Sequence, residues 1–397
     1  MKNTLSKSLT FLTIIVMDLM TGMEFDLFVP SFPEIQKHFA LSPFWVEALL
    51  SVNFLGYCLS LFFVGGLADR YGRKPIILLG LSIFIIGSAL CLWSPYFPLL
   101  LIGRFLHGVG IAAPAILSFL IIADSYPLKQ QQMFMAMMNG VMNMAVAASP
   151  VLGSYVTLYF HWQGNFIALL CLALIALGMT MVFISEQKSS AIKENTNLFD
   201  YIPLFKSKPL MLLIGHIIFM IIPYWIFVGM SPILYMKALG VSLSHFGYYQ
   251  GILALLFAFG SVIFGLVMRH FKPKKALQVN NYIFMFSLLS MAWVTVTNSH
   301  QPLWITLAFI PFVIGQIIPS TILYPLCLNY ISDAKGRISA LITGGRLVLC
   351  ALSLQFAGLI YQGSFQHIGM IILPFILLSV VTLFKVTREN TIVKEES

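Results

Sequence analysis

Long uninterrupted apolar runs follow one another along this chain, separated by short polar breaks. They cover about residues 9–31, 45–67, 75–94, 98–122, 133–157, 164–184, 209–232, 243–268, 277–297, 303–325, 337–360 and 366–385. Each reaches the roughly 20 residues that carry a helix across about 30 Å of hydrocarbon. None alternates with a period of two, which excludes the strand pattern of a membrane barrel. The pattern predicts an all-helical (all-α) membrane protein with twelve transmembrane helices. Its longest polar break, Glu186–Lys208, divides the spans six and six. The expected organisation is an N-terminal six-helix bundle over 1–185, a linker over 186–208 and a C-terminal six-helix bundle over 209–397. All other breaks are short, so consecutive helices are antiparallel neighbours and no soluble catalytic domain fits between them. The two halves also read as a degenerate repeat. Gly265–Lys275 stands where Gly65–Lys74 stands in the first half and is likewise basic, with Arg269, Lys272, Lys274 and Lys275.

Composition and charge add a membrane setting and an orientation. Hydrophobic residues make up 59% of the chain and charged ones 9%, and the mean hydropathy is +0.91. With the N-terminus inside, all of the 23 Lys and Arg residues except Lys37, Lys237, Arg104 and Arg346 fall in cytoplasmic segments. Short loops that retain positive charge mark the cytoplasmic face, so both termini are expected there. The net charge of +9 then faces anionic lipid and calls for no nucleic-acid partner. The first run is too long, and with Asp18, Glu24 and Asp26 too acidic, for a cleavable signal, so it is expected to remain as the first helix. The five cysteines lie in spans with no close pair and read as packing residues. No P-loop, metal-ligand cluster or nucleophile elbow is present in the sequence, so no enzyme activity, metal or cofactor is expected.

The densest polar knot is Gly65-Gly66-Leu67-Ala68-Asp69-Arg70-Tyr71-Gly72-Arg73-Lys74. It resembles motif A of the major facilitator superfamily, G-x-x-x-D-R-x-G-R-K, at every fixed position. The resemblance implies two six-helix bundles, alternating access, and a latch built from Gly65, Asp69, Arg70, Gly72, Arg73 and Lys74, with Asp124 as the expected partner of Arg73. The glycines are expected to let helices approach closely at a tight turn. Asp26-Leu27-Phe28-Val29-Pro30-Ser31-Phe32-Pro33 resembles the D-x-x-x-P-S-F-P ending of the first helix in twelve-span drug:H+ antiporters of the Bcr/CflA group. That likeness implies a monomeric carrier of the bacterial inner membrane that binds small molecules and protons.

Pro30 lacks an N–H and frees the carbonyl of Asp26, so Asp26 is expected to face a wet cavity. On a helix continuing to residue 26, Asp18 and Asp26 lie about 80° apart in arc and roughly 12 Å apart in rise, whereas Glu24 lies about 160° from Asp26. Asp18 and Asp26 are therefore placed toward the cavity. Arg104 and Gly108 match the R-x-x-x-G core of motif B, which the resemblance links to proton transfer. A buried arginine needs a partner, and Asp26 or Glu24 is expected within reach of it.

The fifth helix departs from the antiporter pattern G-x-x-x-G-P-x-x-G-G, with Ala145, Ser149 and Ser154 at three glycine positions. In the second half, Arg346 lies about a third of the way along the eleventh helix, and no acidic residue occurs in any span of that half. Its partner must come from the first half, from backbone or from an anion. Further cavity candidates are Asn53, Tyr57, Asn143, Tyr224, Tyr248, Gln250 and Gln316, because polar groups in a span must be satisfied. Pro223, Pro232, Pro319 and Pro325 are expected to break the seventh and tenth helices. The resulting expectation is a proton-coupled exporter of amphipathic compounds or drugs. The alternative is a proton-coupled carrier of a specific anionic metabolite or carboxylate siderophore.

Overall fold

The computed structural model describes residues 2–126, 128–185, 202–267, 271–328, 330–331 and 335–388, with backbone alone for 2–7, 69, 123–124, 128–129, 132–133, 136 and 335–336. Most of the expected linker, over 186–201, lies outside the described residues, as do Arg269 and the side chains of Asp69 and Asp124. The helices are α1 (Lys2–Glu24), α2 (Phe32–His38), α3 (Pro43–Tyr71), α4 (Arg73–Leu92), α5 (Phe97–Ser125), α6 (Leu128–Phe183), α7 (Ile202–Lys206), α8 (Lys208–Phe219), α9 (Ile222–Pro232), α10 (Leu243–Val267), α11 (Pro273–Val296), α12 (Pro302–Leu328), α13 (Lys335–Ile360) and α14 (Phe365–Arg388). No strand occurs among the described residues.

Ten helical stretches among the described residues are long and apolar enough to cross a membrane. One of them, Met137–Phe183 within α6, runs 47 residues. It is folded at His161, whose φ of 60° and ψ of −176° are not helical, and so contains two spans. With α1, which has 23 residues, the described residues hold twelve spans, as expected.

Proline shapes several of these helices by withholding a donor. The first span ends at Glu24 rather than near residue 31, six residues ahead of Pro30, with the Leu27 N–H still donating to the Met23 carbonyl at 3.0 Å. The chain turns instead through a 3-10 segment, Val29–Ser31. Asp26 is therefore outside the helix, and the arc calculated for Asp18 and Asp26 does not apply. The seventh span is interrupted between α8 and α9 and ends in a π-helix, Ile233–Ala238. There the Ser231 hydroxyl donates to the Val228 carbonyl at 3.1 Å, which Pro232 leaves without its usual donor. The tenth span, α12, is continuous in spite of Pro311, Pro319 and Pro325 inside it, contrary to the expected break. At Pro319 the reason is visible: Asn280 Nδ2 from α11 donates to the Gly315 carbonyl at 2.8 Å. In lipid a freed carbonyl needs such a substitute donor, and where one is present the helix can run on.

The helices sort into two compact units, Met1–Asn195 with Leu243–Gly251, and Thr196–Ser242 with Ile252–Ser397. In the first, α5 packs against α3 and α4, and α1 packs against α6. Glycines set these contacts: a Cβ on Gly80 would meet Ala113 Cβ at 2.6 Å and the Gly110 carbonyl at 2.7 Å. In the second unit α11 packs on α12 and α14, and α8 and α9 pack on α13 and α14. Large apolar side chains such as Phe63, Leu266 and Val296 are exposed, as a protein with a bilayer for solvent requires.

Candidate functional site

Inside the first unit a set of charged and polar side chains is closed off from solvent. Arg104 on α5 and Glu24 at the end of α1 are both 0% exposed, and Arg104 Nη1 donates to Glu24 Oε1 at 2.8 Å. Asn53 on α3 supports both partners, its Nδ2 lying 2.8 Å from Glu24 Oε1 and 3.1 Å from the Arg104 carbonyl. Arg104 Nε faces the Leu49 carbonyl at 3.4 Å, and the guanidinium lies over the Phe28 ring, 3.9 Å from its centroid. Charge, hydrogen bonds and an aromatic face thus combine to hold one arginine in an apolar interior.

His107, one turn further along α5, extends the network. Its Nδ1 lies 2.9 Å from Arg104 Nη1 and 4.0 Å from Glu24 Oε1. A guanidinium only donates, so Nδ1 accepts and the ring proton sits on Nε2. That proton faces Ser88 Oγ on α4 at 2.8 Å. The ring is stacked on Phe84 at 4.3 Å between centroids. A second proton on Nδ1 would confront the Arg104 N–H, so His107 can become a cation only by opening that contact.

Three more carboxyl groups lie buried among the described residues of the same unit. Asp26 is 1% exposed and Glu47, early in α3, is 0% exposed. Among the described residues none of their four carboxylate oxygens has a hydrogen-bond partner. Asp18 is also buried, with Oδ2 unpartnered. Of the two acids expected within reach of Arg104, Glu24 makes the contact and Asp26 does not. The sequence reading missed His107 and Glu47. His107 had a signal, standing three residues after the motif arginine on one helix face. Glu47 had only the oddity of a carboxylate in an apolar run.

A profile of the Major Facilitator Superfamily matches residues 12–354. The chain belongs to the major facilitator superfamily. Multidrug resistance protein MdtL of Salmonella paratyphi B is 23% identical over 375 residues, covering 94% of this chain and 93% of that protein. Its Escherichia coli K12 counterpart is 24% identical over 280 residues, 69% of this chain and 70% of that protein. Among solved structures, a D-xylose-proton symporter superposes with a TM-score of 0.76 at 14% identity, covering 94% of this chain and 96% of that one. A bacterial homolog of the human lysosomal transporter Spinster, inward-facing and occupied, gives 0.71 at 15% identity over 96% of each chain. At such identities the solved structures speak for the fold. As a member of the superfamily, this protein is a multi-pass membrane transporter and not an enzyme.

The superfamily loop has a mixed outcome in this facilitator. Gly72 links α3 to α4 with φ 97° and ψ 160°, a conformation that favours glycine. Gly65 does not serve close approach, since a Cβ there would meet nothing within 4 Å. Arg73 is buried, Arg70 lies 5.2 Å from the Tyr71 ring centroid, and Lys74 Nζ donates to the Met181 carbonyl near the end of α6 at 2.7 Å. The expected Arg73–Asp124 contact involves an undescribed side chain.

The remaining candidates of this facilitator are dispersed. Tyr57 and Asn143 are half-buried in the first unit, and Gln250 is buried. Tyr248 is exposed, its hydroxyl 2.7 Å from that of Tyr155. In the second unit Gln316 donates to the Met220 carbonyl, where the seventh span is interrupted, and half-buried Tyr224 lies against Trp225. Arg346 is half-buried with its Nε unpartnered, and no acidic residue occurs among the described residues of this unit.

Proposed function

We propose that this transporter is a proton-coupled secondary carrier exporting amphipathic compounds by alternating access. The observation that carries the reading is the buried Glu24–Arg104–His107–Asn53 network, with the unpartnered carboxyl of Asp26 two residues from Glu24. An unpaired buried charge is costly, so a proton reaching Glu24 leaves Arg104 in need of another acceptor. Asp26 is the acid free to supply it. Exchange of Arg104 between Glu24 and Asp26, with a proton on whichever acid is released, would link proton movement to helix movement around α1 and α5. The cargo assignment is supported by the similar proteins of Salmonella paratyphi B and Escherichia coli, both named multidrug resistance proteins. The proposed setting is the inner membrane of a bacterium, with both termini cytoplasmic and the carrier acting as a monomer.

The test is flux of a lipophilic cationic dye in proteoliposomes with an outward-directed proton gradient. The wild type is expected to accumulate dye in the lumen, and Glu24→Gln and Asp26→Asn each to abolish that accumulation while leaving the protein folded. Wild-type accumulation in Asp26→Asn would remove the exchange mechanism.

A second reading is favoured by Arg346, a half-buried cation in a unit without a described carboxylate. An anionic cargo would supply the missing charge. Arg346→Ala is then expected to lower carboxylate flux by at least tenfold and to spare the cationic dye. Equal loss of both fluxes would assign Arg346 to the fold.

A further inference from the structure

Each unit has an outward-facing apolar crevice, and the two are copies of one another in sequence position. The first lies among α3, α4 and α5 and the second among α10, α11 and α12. Phe63, Leu67 and Leu79 line the first, and Ile263, Val267 and Val279, each 200 positions later, line the second. This correspondence makes the first crevice an internal control for the second.

Two of the differences between the copies, in volume and in charge, bear on what each can hold. Gly260 and Ala276 replace Ser60 and Ile76, and the cavity grows from about 310 Å³ to about 360 Å³. Lys275 also lines the second crevice, where Pro75 stands in the first half. The first crevice has no charged residue in its wall. Lys275 is exposed, Lys272 is exposed beside it at the start of α11, and no carboxylate lies among the described residues of this unit. The neighbouring wall residues Ile263, Phe271 and Val279 are exposed as well.

An apolar slot opening toward lipid, with an ammonium group at its rim and no described acid to neutralise it, matches a phospholipid with an anionic headgroup. We infer that the crevice between α10, α11 and α12 binds one anionic phospholipid, an acyl chain lying along Ile263 and Val279 and the phosphate meeting Lys275. A basic residue near the membrane surface gains about fivefold in affinity from an anionic headgroup. The chain slot adds specificity for a lipid over a free anion. This proposal is independent of the cargo and of the proton mechanism.

Native mass spectrometry of the full chain, titrated with phosphatidylglycerol, phosphatidylcholine or inorganic phosphate, tests it. One phosphatidylglycerol is expected to be retained in preference to phosphatidylcholine. Lys275→Gln should weaken that retention about fivefold and leave phosphatidylcholine unchanged, and Val279→Trp should remove it by filling the slot. Leu79→Trp, the same change in the first crevice, and Lys206→Gln, an exposed lysine outside both, should behave as wild type. Equal retention of the two lipids would overturn the inference, as would inorganic phosphate displacing the lipid at equal concentration. So would full phosphatidylglycerol binding in both Lys275→Gln and Val279→Trp.

Discussion

Arg104→Met is expected to silence transport and to destabilise the folded carrier by about 3–5 kcal/mol, the usual result of stripping one partner from a buried ion pair. The substitution leaves Glu24, fully buried, with Asn53 as its remaining hydrogen-bond donor on Oε1. It also removes the donor that His107 Nδ1 accepts from. Removing the second charge as well separates the two effects. Glu24→Leu combined with Arg104→Met should recover most of the lost stability, since an apolar pair of similar volume carries no desolvation cost. Transport should stay absent. Thermal unfolding in detergent and proton-driven dye flux would be measured on the two variants side by side. A single Arg104→Met protein that melts with the wild type would show that the ion pair does not hold α1 to α5, and flux in the double variant would falsify its part in coupling.

Gly108→Val should be nearly as damaging, for a steric reason. A Cβ at Gly108 would run into the Asn53 carbonyl and would lie 2.8 Å from the Tyr57 backbone nitrogen. These are backbone atoms and cannot turn aside as a side-chain end can. The helices α3 and α5 must separate, which costs about 1–3 kcal/mol or more. The movement also withdraws Asn53 from both Glu24 and the Arg104 carbonyl, so coupling and stability should fall together. Gly178→Ala is the control, because a Cβ there meets nothing within 4 Å. Expression level and melting temperature give the readout, and a Gly108→Val protein that melts with the wild type would show that the interface is looser than its geometry implies.

The spans were legible because hydrocarbon imposes one rule on every residue they contain. The paired arginine was legible on the same ground, a buried guanidinium being too costly to leave alone. Which acid met it was not legible. The arc between Asp18 and Asp26 holds only on a helix that continues to Asp26, and α1 ends at Glu24, which makes the contact with Arg104. The missing N–H of Pro319 does not break α12, where Asn280, distant in sequence, caps the Gly315 carbonyl. Proline signals a lost donor, but the substitute donor belongs to tertiary structure. Gly65 and Gly108 make the same point from the other side. Both stand in superfamily motifs, yet Gly65 faces open space and Gly108 a neighbouring backbone, a difference that depends on what packs against each helix. The role of His107 was not legible, because its two ring nitrogens acquire meaning only from Ser88 on α4 and Arg104 on α5, which flank them.

The turn at His161 has a mechanical consequence. The fifth and sixth spans are two rods of α6 joined at a single non-helical residue, and so short a corner has little slack to absorb rotation. A tilt imposed on the fifth rod is passed to the sixth, as in a bell-crank. Any bending between them must then come from within a rod, and Pro150, inside the fifth, is the place where that rod can yield.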